Sequence, residues 1–269
     1  MTISNGFDPH TLKNAAAVRE YFRQNPAPRP TAGLADGCAQ ANLVILPKEY
    51  AYDFLLFAQR NPKACPVLEV TEPGQRDLPF LAPGCDIARD IPKYRVYRDG
   101  VLADEPLDVE QLWCDDFVSF LIGCSFSFEW ALMRAGVPVR HIEENRNVPM
   151  YLTNIPCKSA GVFSGNIVVS MRPIPSRLVP LAVTTTAQMP RVHGAPIHIG
   201  CPADIGIADI HQPDFGDAVT INPGELPVFW PCGVTPQAAV MRSKPSLAIT
   251  HAPGYMLVCD VQNADLMGQ

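Results

Sequence analysis

The chain has 269 residues, of which 47% are hydrophobic and 18% charged, so it can bury a core in one large domain or two interlocked ones and is too apolar for a disordered chain. A net charge of −6, from 21 basic and 27 acidic residues without a Lys/Arg run, lacks the footprint of a nucleic-acid or anionic-membrane binder and favours a small-molecule partner. The opening MTISNGFDPH has no basic and apolar secretory pattern and no apolar run is long enough for a bilayer, so a cytoplasmic location is expected.

In chain order, Asp8 and Pro9 predict the start of a first helix with a stripe of Leu12, Ala15, Ala16 and Phe22, stopped by Pro26. Leu43 to Leu46 reads as a buried strand, followed by a helix from Pro47 to about Arg60 and a strand from Pro66 to Thr71. Asp99-Gly100, between Tyr94–Arg98 and Val101–Ala103, predicts a solvent-exposed hairpin tip with two positive φ angles. The apolar positions of 108–122 recur at helical spacing and predict a helix ended by Gly123, with a second helix over 128–135.

Beyond it, short β-branched runs punctuated by Gly and Pro predict strands at 167–171, 197–199, 218–221, 227–230, 247–250 and 255–259. Helices are expected between Ser176 and Gln188 and from Pro236 to Arg242, the latter capped by Thr235. The fold class is therefore α/β in the broad sense, mixed α+β, with a parallel or mixed sheet flanked by helices. The nine cysteines, odd in number and without a C-x-x-C pair, are expected to be reduced thiols that mostly fill the core.

Three turns could carry chemistry. Gly123-Cys124-Ser125-Phe126-Ser127 opens a helix, where free N–H groups favour an anion and Cys124 could be an activated thiol; equally, a serine there caps the helix and Cys124 is packing. Pro231-Cys232-Gly233-Val234-Thr235-Pro236-Gln237 leads from a strand into a helix, the kind of place where ligands gather. Thr250-His251-Ala252-Pro253-Gly254 places a histidine after an apolar strand, with a structural and an acid–base role about even.

The stretch 191–217 adds His193, His198, Cys201 and several aspartates. On a continuous strand His193 and His198 would face opposite sides, Pro196 bars a simple helix from reuniting them, and neither H-E-x-x-H nor paired cysteines occur, so a substrate-binding pair is preferred to a metal site. Arg172 could clamp a carboxylate, or simply pair at the surface. With no P-loop, dinucleotide glycines or G-x-S-x-G elbow, no nucleotide or redox cofactor is expected.

Read in order, Gly123-Cys124-Ser125-Phe126-Ser127-Phe128-Glu129, Pro149-Met150-Tyr151, Val169-Ser170-Met171-Arg172-Pro173, His193 to Gly200, Pro213 to Asp217, Pro227 to Gln237 and Ile249 to Gly254 resemble the D-glutamate cyclase family over nearly the whole chain. Cys201 stands where an acidic residue is expected in relatives. The resemblance implies a two-lobed architecture: a larger discontinuous lobe of residues 1–115 and 209–269, and a smaller inserted lobe of 116–208.

It also implies a hydro-lyase that interconverts D-glutamate and 5-oxo-D-proline, with an amino acid or carboxylic acid as partner, no cofactor, and a homo-oligomer left open. Such a reaction needs proton carriers, oxyanion donors and a carboxylate clamp. His251 and His193 are the candidates for the first, N–H groups near Cys124 to Ser127 or Cys232 to Thr235 for the second, and Arg172 for the third. Cys124 and Cys232 complete the catalytic candidates, Cys124 being less attractive as a covalent nucleophile because a carboxylate accepts thiolate poorly. Ser125, His198, Thr235 and Gln237 are the further substrate-binding candidates. His193, His198, Cys232, Thr235 and His251 are expected around one cleft with Cys124 or Ser125 at its wall. The rival readings are a non-catalytic binder of small carboxylic acids and a metal-dependent cyclic amide hydrolase built on His193 and His198.

Overall fold

The computed structural model describes residues 11–25 and 27–268. The expected helix start at Asp8 and Pro9 and the stop at Pro26 lie outside them. The helix itself, α1 (Ala15–Gln24), is capped by Asn14, whose side chain accepts the Ala17 N–H at 2.8 Å. It buries Ala15, Val18 and Phe22, and its buried Arg19 donates to Asp260 at 2.8 Å.

Strand β1 (Cys38–Pro47) is longer than expected and buried along almost its whole length; α2 (Lys48–Arg60) and β2 (Val67–Val70) follow close to their predicted places. Strands β3 (Tyr94–Arg98) and β4 (Val101–Asp104) form the expected hairpin, with Asp99 at φ 50° and Gly100 at φ 79°.

The helix expected over 108–122 does not form. A single 3₁₀ turn at Glu110–Leu112 is followed by strand β5 (Phe117–Gly123), all seven residues of which are buried. A strand covered on both faces has no polar side, so its apolar run cannot be separated from a helix by periodicity. Helix α3 (Ser125–Arg134) then begins three residues before the expected Phe128.

The short α4 (Arg140–Glu143) and strand β6 (Met150–Pro156) carry no prediction. Strand β7 (Asn166–Pro175) runs on through Arg172 and Pro173, and α5 (Val179–Ala187) and the two-residue β8 (His198–Ile199) match expectation. Residues 218–221 are not a strand. Strand β9 (Glu225–Pro231) leads into α6 (Val234–Ser243), and the chain closes through β10 (Ala248–His251) and β11 (Leu257–Gln262). Helix α6 starts before its expected cap, with Gly233 in the cap position. Thr235 therefore sits in the first turn, where its hydroxyl accepts the Val168 N–H of β7 at 2.9 Å.

The architecture is mixed α+β with two sheets. One has the order β2-β5-β1-β10-β3-β4, with β11 also pairing to β1; the other has the order β6-β7-β9-β8. Every strand pairing among the described residues is antiparallel, which corrects the expected parallel or mixed sheet. The β1-α2-β2 crossover does return the chain in the same direction, but β5 inserts between the two strands and runs against both. All strands of the second sheet lie between Met150 and Pro231, and β5 belongs to the first.

One core cluster joins the two sheets: Leu43, Leu121 and Ile249 of the first pack with Ile174, Val228 and Trp230 of the second, around Phe128 and Leu132 of α3. Helix α2 covers the other face of the first sheet through Phe54 and Phe57 against Phe120 and Phe163.

Where the sheets meet, Asn42 of β1 donates to the Gly123 carbonyl at 3.0 Å and lies against Gly233. A Cβ on Gly123 would stand 2.1 Å from the Arg191 carbonyl oxygen, and one on Gly233 would stand 2.2 Å from the Asn42 amide. Both turns are closed too tightly for a side chain. Gly123→Ala should lower stability by about 1–3 kcal/mol through overpacking against backbone, more than Gly268→Ala, where φ is not positive and a Cβ would meet nothing closer than 3.4 Å. Urea unfolding of the two variants checks this; equal midpoints would contradict the close approach.

Candidate active site

The N-termini of α3 and α6 meet between the sheets. Cys124, Ser125, Cys232, Gly233, Asn42 and His251 line a pocket of about 30 Å³, close to the room one water needs. Phe126, Asn147, Pro253 and Gly254 border both this pocket and a cleft of about 760 Å³, within the roughly 300–1,000 Å³ of small-molecule sites. The outer cleft is further bounded by the loop around Arg29 to Cys38, by Glu129 of α3 and by His141 of α4.

His251 sits at the end of β10, where the ladder with β1 stops. Its Nδ1 accepts the Leu43 N–H at 3.0 Å, and the Gln237 amide lies 3.2 Å away. Burial lowers its pKa to about 4, against the raising effect of the Leu43 bond. With Nδ1 accepting, the neutral ring carries its proton on Nε2, which lies 3.4 Å from the same Gln237 amide nitrogen.

Burial pushes the Cys124 thiol up to about 12 and raises Cys232 as well. Cys232 donates to the Met150 sulfur at 3.5 Å. Cys124 is therefore not the activated thiol considered from the sequence, and Cys232 is no better placed, because a thiolate is disfavoured where water is excluded. None of the nine cysteines is in a disulfide.

Arg172 is fully buried, and its guanidinium is taken by the protein itself. It donates to Glu129 through Nε at 3.1 Å and through a second nitrogen, to Ser170 at 2.6 Å and to Ser125 at 3.1 Å. It also lies over the Phe128 and Trp230 rings. The carboxylate it clamps is Glu129, one helical turn after Ser125 on the same face of α3. Burial alone would raise the Glu129 carboxyl, but the charges of His141 and Arg172 outweigh it and hold it at about 2.

Of the expected constellation, the fold brings together Cys124, Ser125, Cys232 and His251, with Gln237 on His251 and Arg172 behind Ser125. His193, His198 and Thr235 line neither the pocket nor the cleft. His193 ends a 3₁₀ turn with φ 82°, fully buried, and its Nδ1 lies 2.8 Å from the Lys63 carbonyl. His198 is bonded through Nε2 to the Cys201 carbonyl at 2.7 Å, over the Phe229 ring. The Cys201 carbonyl three residues on satisfies His198, whereas His193 has a partner only at Nδ1 and its buried Nε2 has none; neither ring lines the cleft. Among the described residues, no three His, Cys, Asp or Glu side chains are grouped to hold a metal ion, which removes the convergence that the metal-dependent rival requires. The sequence reading missed Glu129 and His141. Glu129 stood within the quoted Gly123–Glu129 motif, four residues after Ser125, which was its only signal.

The family described as D-glutamate cyclase matches residues 118–260, the segment that contains both helix N-termini and His251. Three bacterial relatives named "Putative hydro-lyase" extend the match. That from Clostridium beijerinckii is 64% identical over 93% of this chain and 95% of its own. Those from Corynebacterium urealyticum and Geobacillus kaustophilus are 64% and 60% identical, over 92% and 93% of this chain and 94% and 95% of theirs. The chain belongs to the D-glutamate cyclase family. Among solved structures, a nitrogen repressor-like protein from Methanococcus jannaschii aligns over 92% of this chain and 99% of its own with a TM-score of 0.37 and 9% identity, too remote to inform function. As a member of the D-glutamate cyclase family the protein is an enzyme, a hydro-lyase, so the non-catalytic binder falls away. No helix among the described residues is long and apolar enough to cross a membrane.

The buried groups make stability pH-dependent. His193 and His251 bind protons below about 4 in the fold, against an ordinary value of 6.5. Between those values the unfolded chain holds more protons, so stability rises with pH there. Glu129, depressed from 4.5 to about 2, adds stability that is present above 4.5 and lost between the two. All three groups act in one direction. Thermal unfolding should therefore give a lower midpoint at pH 5 than at pH 7, and a smaller difference in His193→Asn; a midpoint unchanged or higher at pH 5 would contradict the burial of neutral imidazoles.

Proposed function

We propose that the protein interconverts D-glutamate and 5-oxo-D-proline by intramolecular loss of water. The observation that carries this reading is the junction of the wide cleft with a water-sized pocket at two helix N-termini. A flexible amino acid can fold in the cleft, while one carboxyl oxygen enters the narrow pocket and leaves there as water. Holding the amine against its own γ-carboxyl replaces a bimolecular encounter by an intramolecular one.

The N–H groups and dipoles of α3 and α6 favour the negative charge that builds on the tetrahedral oxygen. Neutral His251 adds a donor through Nε2 without carrying a proton away, a role narrower than the proton carrier its sequence position suggested. Arg172 acts at one remove: it fixes Ser125 and Glu129, and so the first turn of α3. Arg29 and Arg146 border the cleft and offer positive charge to the substrate's carboxylates.

Incubation with each glutamate enantiomer, followed by chiral chromatography, tests the reading. Formation of 5-oxo-D-proline from D-glutamate, with L-glutamate slower, is expected without added nucleotide. His251→Asn should lower turnover by about 10²-fold, the size of effect of losing one oxyanion donor. Absence of 5-oxoproline from both enantiomers, with and without divalent metal, would remove the substrate assignment.

A further inference from the structure

His141 is a histidine that neither the sequence reading nor the proposed oxyanion site uses. It lies in α4, is 4% exposed, and borders the 760 Å³ cleft. Its Nε2 stands 3.4 Å from Glu129 Oε1. Its Nδ1 is buried and has no hydrogen-bond partner. Leaving a polar ring atom unpaired in the interior costs stability unless a ligand completes it. The same Glu129 oxygen is held by Arg172, which also grips Ser125 at the inner pocket. One chain of contacts thus runs from the cleft wall to the water-sized pocket.

We infer that His141 is the proton carrier of the reaction, its unpaired Nδ1 reaching the substrate nitrogen through a small turn of the ring as substrate fills the cleft, with Glu129 holding the Nε2 side. This rests on the cyclase reading given above. An ionised carboxylate at Nε2 calls for an N–H there in either protonation state of the ring, which leaves Nδ1 as the atom that exchanges protons. Glu129 cannot compete for the proton, because Arg172 keeps it ionised.

The balance is closed within the substrate. Nδ1 takes one proton from the α-ammonium; the amine's lone pair forms the C–N bond to the γ-carboxyl carbon. Nδ1 passes that proton to a carboxyl oxygen, then relays a second from the new N–H to the same oxygen. The C–O bond breaks, its electron pair leaving with the oxygen as water, and lactam and water remain. Two protons leave nitrogen and two reach oxygen, so no co-reactant is needed.

The test uses the full-length enzyme with D-glutamate. His141→Gln, folded by circular dichroism, should lose about 10²-fold or more in kcat with a much smaller change in KM. His141→Ala should be inactive and regain turnover as free imidazole is added, a rescue that a purely structural histidine would not show. A folded His141→Gln variant within threefold of wild type, or a His141→Ala variant indifferent to imidazole, would overturn the role while leaving the cyclase reading intact. A wild-type enzyme that makes no 5-oxoproline would overturn both.

Discussion

The buried contact between Arg172 and Glu129 is the constraint around which the site is arranged. Arg172 comes from β7 of the four-stranded sheet, and Glu129 from the helix that follows β5 of the seven-stranded sheet. A guanidinium removed from water is tolerable only with its donors satisfied, and here Glu129, Ser170 and Ser125 satisfy them. Removing one partner of such a pair leaves an uncompensated buried charge, at a cost of about 3–5 kcal/mol. The pair therefore fixes how α3 sits against the second sheet, and with it the direction in which the helix N-terminus faces.

The same logic of close approach holds the opposite wall. Gly123 and Gly233 let backbone and the Asn42 amide fill the space where side chains would stand. Asn42, on the central strand of the first sheet, binds the carbonyl that precedes α3 and touches the turn that precedes α6. Two helix N-termini are thus aimed at one small pocket by a single amide and two missing Cβ atoms. Their partial positive charges add where water is scarce and screening is weak.

Burial also sorts the chemistry of the candidate groups. Thiols and imidazoles placed inside are driven to their neutral forms, as for Cys124, His193 and His251. Glu129 is the exception because the charges of His141 and Arg172 outweigh its burial. The interior thus holds two kinds of environment: neutral groups at the inner pocket, and a carboxylate kept ionised between His141 and Arg172.

By itself, the sequence determined the local elements with strong punctuation and the family. The Asp99-Gly100 turn, the helix after Pro47, the glycine turn that opens a helix at Cys124 and the strand–turn–helix unit at Cys232 were legible because Gly, Pro and small polar residues act on their immediate neighbours. The family motifs added the hydro-lyase chemistry. Strand β5 was not legible, since burial on both faces erases the period-two signal, and the antiparallel order of the sheets was not, since β5 slips between β1 and β2 from a distant part of the chain. The tertiary structure alone decided which candidates share a site. His193 and His198 have the same side chain as His141 and His251, but the first two meet backbone carbonyls of 63 and 201, whereas His141 meets Glu129 at the wall of the cleft and His251 lines the inner pocket. His198 meets a carbonyl three residues away, but His193 and His251 meet backbone 130 and 208 residues away in the chain, and no local pattern encodes that.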